Sequence, residues 1–446
     1  MVAGGLIPEF ATRVSVQVMQ ILVKQTQSMR CLRNSLRAVL LFAPFPNCNI
    51  QAQVPSASPM NLAPSQVSVL SYGARGDGIT NDTDAINSAM SACTNGKIPN
   101  NGCTLYFPAG VYVTTGLTLR SYITLKGDGW GTSVIRLKSQ TASDVLTAPI
   151  DAFNFSIQSL TVDGNSGSGG TGNCLSVAPT GTGPAEWNTA NKRTAPVNAQ
   201  KWGHVEEVMF SHCSADGVHI NEFNYMLFFD NFYAFDNGVY GLYTQGTNSG
   251  FSNFQIERNG TAGIHVDGAN DRFTSGEVIW NGTRNNAEAG VYVSGARNII
   301  MAVETEDNYT NGFVDKGVDN EFIGCVSDSN GYAPNNTSVS SRVASGFVIL
   351  GTGGVYVGDK VTSYRGRLPD GNFTTEWPYV VGNQHEGTID ISYDSANNAP
   401  ATRAGTSLGV GSAHVGNAAC VKSPGPPAVL GVCSTKVSSS GSCTCN

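Results

Sequence analysis

Residues 229–260 read FDNFYAFDNGVYGLYTQGTNSGFSNFQIERNG. Asn237-Gly238 returns as Asn259-Gly260, and related dipeptides stand at Asp216-Gly217, Asn281-Gly282, Asn311-Gly312 and Asn330-Gly331. A polar residue followed by Gly, recurring about every 22 residues, marks a repeat architecture. The flanking residues keep step. Nine before each Gly stand Val208, Phe229, Phe251, Phe273, Val303 and Phe322, all apolar. Five before stand His212, Tyr233, Gln255, Glu277, Asp307 and Val326, mostly polar. Polar beside apolar, in register from repeat to repeat, predicts short strands with one face in and one out. The expected fold is all-β, a parallel β-helix whose coils stack about 4.8 Å apart. Asn is expected at the tight bend because it tolerates the left-handed region, with Gly supplying positive φ and the Asn side chains bonding coil to coil.

Composition agrees. In 446 residues only 13% are charged and 52 are Gly, which suits strands and turns better than long surface helices. Net charge is −7. Without residues 1–52 it becomes more acidic, because five Lys/Arg and one acid leave. That sign argues against nucleic acid as a partner.

Residues 29–52 read as a secretory leader: Arg30, Arg33 and Arg37, then the apolar run Ala38 to Phe45, then Ala52. The run is too short to span a bilayer. The expected order is therefore leader 1–52, linker 53–65, β-helix 66–366, irregular coils or linker 367–412 and a Cys-rich tail 413–446. Secretion is the expected destination. Cys93 and Cys103 flank a loop and can pair. Cys420, Cys433, Cys443 and Cys445 crowd the tail and read as disulfide candidates. Cys213 and Cys325 fall on inward positions and read as buried thiols.

The first ordered stretch is distinctive. The strand Val67-Ser68-Val69-Leu70 leads into the turn Tyr72-Gly73-Ala74-Arg75-Gly76-Asp77-Gly78. Asn81-Asp82-Thr83 then supplies helix caps, and Ala85, Ile86, Ala89, Met90 and Cys93 form an apolar stripe. Next come Leu105–Tyr112, Leu117-Thr118-Leu119 and Ile123–Gly129. Over about residues 66–137 this order resembles the start of the pectate-lyase-like superfamily, which includes polygalacturonases, rhamnogalacturonases and phage tailspike depolymerases. The resemblance implies a right-handed, single-stranded parallel β-helix plugged by an N-terminal capping helix, with a polysaccharide as partner. The Asn-Thr-Asp, Asp-Asp, Gly-His-Gly and Arg-Ile-Lys motifs of polygalacturonases do not occur in this sequence. The resemblance therefore transfers no catalytic residue.

Two outward columns can carry chemistry. The first holds Tyr233, Gln255, Glu277 and Asp307, with Glu304 and Glu306 nearby. Carboxylates on stacked coils lie at the separations glycosidases use, and their proximity lifts one pKa. Glu277 and Asp307 are the expected acid/base pair, with Glu306 as the third catalytic candidate. Glu306 falls in an inward register unless the 30-residue interval before Asn311 shifts it. The second column places His219, His265 and Tyr292 at equivalent outward sites, with Tyr240 or Tyr243 on the coil between the two His and Asp267 beside His265. Such rings and acids suit sugar binding and proton transfer. The insert 179–203 adds Trp187 and Trp202 as candidate sugar platforms, with Lys192 and Arg193. No cofactor, metal or oligomeric state is implied. The sequence reading is a secreted glycoside hydrolase, with a lyase of the same fold and a non-catalytic or tailspike-like binding protein as alternatives.

Overall fold

The computed structural model describes residues 66–94, 102–177, 200–222, 224–283, 287–331, 345–362, 377–381, 388–393, 419–421 and 430–432. The leader, the linker, Trp187, Cys433, Cys443 and Cys445 lie outside them. Cys420 falls in the strand Ala419–Val421, which pairs antiparallel with Leu430–Val432.

The chain winds into a right-handed parallel β-helix. A long sheet runs from Gln66–Ser68 to Thr388–Tyr393, and a short sheet from Leu117–Thr118 to Trp377–Val381. Both are parallel throughout. The helix Thr83–Thr94 closes the start. Asn81 Oδ1 accepts from Thr83 N and Oγ1, at 3.2 and 2.6 Å. Asp82 turns back to bind the glycine-rich turn, accepting Arg75 N and Gly76 N at 2.7 and 3.0 Å. Ile86, Ala89 and Met90 are buried. The Cys93–Cys103 disulfide ties the helix to the first coil. No described helix is long and apolar enough to cross a membrane.

Inside, equivalent side chains stack. Phe229, Phe251 and Phe273 lie 5.2 and 4.8 Å apart, followed in register by Ile300 and Phe322. At the bend from long to short sheet, each Asn receives a backbone N–H from the coil before. Cys213 N donates to Asn237, Asn237 to Asn259, Asn259 to Asn281, Asn281 to Asn308 and Asn308 to Asn330, all at 2.9–3.1 Å. Each Nδ2 also caps a carbonyl, as Asn281 does for Ile256. These amides are fully or almost fully buried, so the ladder satisfies polar groups that would otherwise be orphaned.

This ladder corrects the sequence register. Asn311-Gly312 and Asp216-Gly217 do not belong to it. Their glycines join Gly241, Gly263 and Gly290 at the start of the short-sheet strands, where an added Cβ would meet neighbouring atoms at under 3 Å. Asn308, followed by Tyr309, carries the ladder, and Cys213 occupies its first rung. The coil grows from 22 to 27 residues between Asn281 and Asn308. Counting from Asn311 instead of Asn308 displaced Val303 and Asp307, as counting from Asp216 instead of Cys213 displaced Val208, whose place opposite Phe229 belongs to Val205. The true partners of Phe273 and Glu277 are Ile300 and Glu304. The left-handed residue is also not the Asn but the one before it: Asp236, Arg258, Trp280, Asp307 and Ser329 have φ of 50–58°. Cys213 is not a free thiol; it bonds Cys174. Cys325 remains buried and unbridged.

Candidate functional site

The two sheets each present an outward face with clustered ionisable groups. On the long sheet, Asn231, Asn253, Ser275 and Ala302 all adopt positive φ. That column of left-handed residues bends the ribbon and leaves a concave groove of about 520 Å³. Trp130, Tyr233, Gln255, Glu277 and Glu304 line it. Alternation along the strands produces two acidic columns. One runs Tyr233, Gln255, Glu277, Glu304. The other, two residues on, runs Phe235, Glu257, Ile279, Glu306, Asp328.

Glu306 is thus outward, paired with Ile279 and Asp328, and Val303 takes the inward place opposite Gly276. Asp307 is the correction. It is fully buried, with Oδ2 accepting from Trp280 Nε1 at 3.2 Å, so it cannot reach a substrate. The carboxylates of this face raise one another's pKa. Burial, then Glu257, lifts Glu277. Burial, then Asp328 and Glu277, lifts Glu304. Burial, then Asp307, Asp328, Glu304 and Glu277, pushes Glu306 up to about 7. A carboxyl protonated near neutrality beside ionised neighbours can donate a proton.

On the short sheet, His219, Tyr243, His265 and Tyr292 occupy one column in consecutive register. His219 and Tyr243 lie 4.8 Å apart, and His265 stacks on Tyr292 at 4.6 Å. His265 is only 8% exposed. Its Nδ1 meets Glu288 Oε2 at 2.7 Å and its Nε2 meets Asp267 Oδ1 at 3.0 Å. Burial opposes its charge, but the bonds to Asp267 and Glu288 outweigh that and raise it to about 9. The bond from His265 holds Asp267 down at about 2, against burial, with help from Ser294 and Tyr243. With both ring nitrogens engaged by carboxylates, His265 is a held imidazolium and has no lone pair to serve as a base. His219 differs: its Nδ1 meets the buried Asp216 at 2.6 Å, and no bond engages Nε2 among the described contacts.

Tyr233 lies in the long-sheet groove, and His219, His265, Asp267 and Tyr292 on the short sheet. Trp202 is 41% exposed and stands outside the groove lining. Sequence reasoning missed Trp130, Glu257, Asp328 and Glu288. Trp130 had a signal in Gly129-Trp130-Gly131, since a ring held between two glycines is presented by a tight turn. Glu288 had none, because the extra residues of the 27-residue coil before it hide its register with Thr261.

Comparison with known proteins agrees with this architecture. Over 110 residues the chain is 36% identical to mannuronan C5-epimerase AlgE5 of Azotobacter vinelandii, covering 22% of this chain and 11% of that protein. Over 62 residues it is 42% identical to the exo-poly-alpha-D-galacturonosidase of Dickeya chrysanthemi, covering 14% and 9%. The chain therefore spans about a tenth of the length of these relatives. The enzymatically active domain of tailspike protein 2 from bacteriophage CBA120 superposes with a TM-score of 0.57 at 16% identity, covering 72% of this chain and 47% of that one. These relatives are parallel β-helix proteins and polysaccharide-acting enzymes. Residues 66–319, more than half of the chain, match the family described as rhamnogalacturonase A/epimerase, pectate lyase-like, and the protein belongs to that family.

Proposed function

We propose that the protein is an exported glycoside hydrolase whose reaction centre is the acidic groove of the long sheet. The observation that carries this reading is Glu306, a carboxyl raised to about 7 on the same face as the groove-lining Glu277. Glu306 donates its proton to the glycosidic oxygen as the C–O bond breaks. Glu277 takes a proton from water, whose oxygen bonds the anomeric carbon. The departing sugar leaves as a free hydroxyl, and the two carboxyls recover their protonation by exchange with solvent. Glu277 and Glu306 are diagonal neighbours on adjacent coils, roughly 7–8 Å apart at the backbone. Burial, then the charges of Asp307 and Asp328, and after them Glu304 beside it, keep the proton on Glu306.

A second reading is favoured by the Asp216–His219 pair and by the epimerase relative. In it, His219 Nε2 is a base oriented by Asp216, removing the proton beside a uronate carboxyl on the short-sheet face, as a lyase requires.

One experiment separates the two: incubation with a polysaccharide panel and mass analysis of the products. New reducing ends from added water, lost in Glu306→Gln, support the hydrolase. Unsaturated products that survive Glu306→Gln but vanish in His219→Ala transfer the activity to the short sheet. Glycan binding with no cleavage of any substrate rejects both.

A further inference from the structure

We infer that the long-sheet groove takes an uncharged glycan, seated on Trp130, and excludes polyuronates; this rests on reading the groove as the hydrolytic site. Two independent observations carry it.

The first is the platform. Trp130 stands between Gly129 and Gly131, whose φ of 128° and 66° suit glycine. The turn is fixed to the next coil: Gly129 N donates to Ser159 O at 2.8 Å and Gly131 N to Thr161 Oγ1 at 3.0 Å. Its indole lies 6.1 Å from the Tyr233 ring, nearly parallel at 18°, yet keeps 40% of its surface open. An indole held rigid while exposed at a groove wall offers an apolar plate to the C–H face of a sugar.

The second is the charge. Beside this plate the two outward columns carry five acidic residues: Glu277 and Glu304 line the groove, Glu306 stands next to them, and Glu257 and Asp328 are largely buried. From Tyr233 to Thr362, Lys360 is the only basic residue in these columns among the described residues, and Val326 separates it from Glu304. Arg258, next to Glu257, is engaged by Asp236 at 2.8 Å and by Glu257 itself. A carboxylate row accepts hydrogen bonds from sugar hydroxyls, whereas a uronate would bring one more negative charge per residue against it. The family resemblance points toward charged polymers; the charges of this groove do not.

Affinity electrophoresis of the full chain tests the inference, with xylan, β-glucan, galactan and mannan against polygalacturonate and alginate at about physiological ionic strength. The expected result is retention by at least one neutral polymer, weakened roughly tenfold or more in Trp130→Ala and kept in Trp130→Phe, which preserves a ring at the same turn. An unchanged melting profile shows that both variants fold. Trp130-dependent retention by polygalacturonate or alginate, or no Trp130-dependent retention by any polymer, overturns the inference. The hydrolase reading fails separately. Neutral-glycan binding without cleavage leaves the substrate class standing and removes the activity. Hydrolysis of a polyuronate that is lost in Glu306→Gln does the reverse.

Discussion

The two outward faces of one coil treat their carboxylates in opposite ways. On the short sheet, Asp267 and Glu288 grip the two nitrogens of His265, so the acid falls to about 2 and the imidazole rises to about 9. On the long sheet, burial and then acidic neighbours, Glu257, Asp328 and Asp307 foremost, raise Glu277, Glu304 and Glu306. The same backbone thus builds a neutralised network on one side and a strained, proton-holding row on the other. Paired charges are stable and unreactive. Like charges gathered on a half-buried face are unfavourable in the ground state, and their perturbed pKa values are what acid–base chemistry uses.

Removing the raised acid gives the widest separation between the faces. Glu306→Gln is expected to lower cleavage roughly 10²- to 10⁴-fold while leaving the unfolding midpoint unchanged or higher, because a repulsion disappears. Loss of stability with retained activity would invert the assignment of the two faces.

On the short sheet the expectation runs the other way. His265→Ala leaves Asp267 and Glu288 facing each other without their cation. The cost is about 2–3 kcal/mol in denaturant unfolding, toward the low side for a broken buried pair because both acids keep some solvent. The variant should retain groove cleavage if it folds.

The pH dependences should diverge as well. Glu306 acts as a donor only while protonated, so cleavage falls as pH rises through about 7. Its folded pKa lies above the ordinary 4.5; it therefore stabilises the fold most at low pH, and that contribution is lost between about 4.5 and 7. His265, raised from 6.5 to about 9, contributes fully below 6.5 and loses that contribution as pH rises to about 9. Asp267, lowered from 3.8 to about 2, contributes above 3.8 and loses it as pH falls to about 2. Unfolding measured across pH in the parent and in His265→Ala should differ most between about 4 and 6.5.

The smallest effect tests the tuning. Glu304→Gln removes one neighbour of Glu306, so the alkaline limb of the activity profile should move down by roughly half to one pH unit, equivalent to about 1 kcal/mol of lost repulsion. An unmoved limb would mean that burial and the other neighbours, Asp307 and Asp328 first, hold the proton without Glu304.

The repeat, the capping helix and the identity of the inward residues were legible in the sequence, because stacking forces equivalent positions to share a chemical type. Phe229, Phe251 and Phe273 announce their column by spacing alone. The Asn ladder was legible where coils keep 22 residues and was misread where one has 27. There the eye followed Asn311-Gly312, while the fold used Asn308. Taking Asn311 for Asn308 moved the register by three residues, which put the buried Asp307 in the place of Glu304 and set Glu306 on the inward face, since a shift of an odd number of residues in a strand reverses its faces. Which Cys meets Cys213, that Glu288 joins Asp267 at His265, and that Trp130 closes a groove against Tyr233 were decided only by the winding of the coils. Sequence order fixes what each coil carries; adjacency between coils depends on the length of every loop before it.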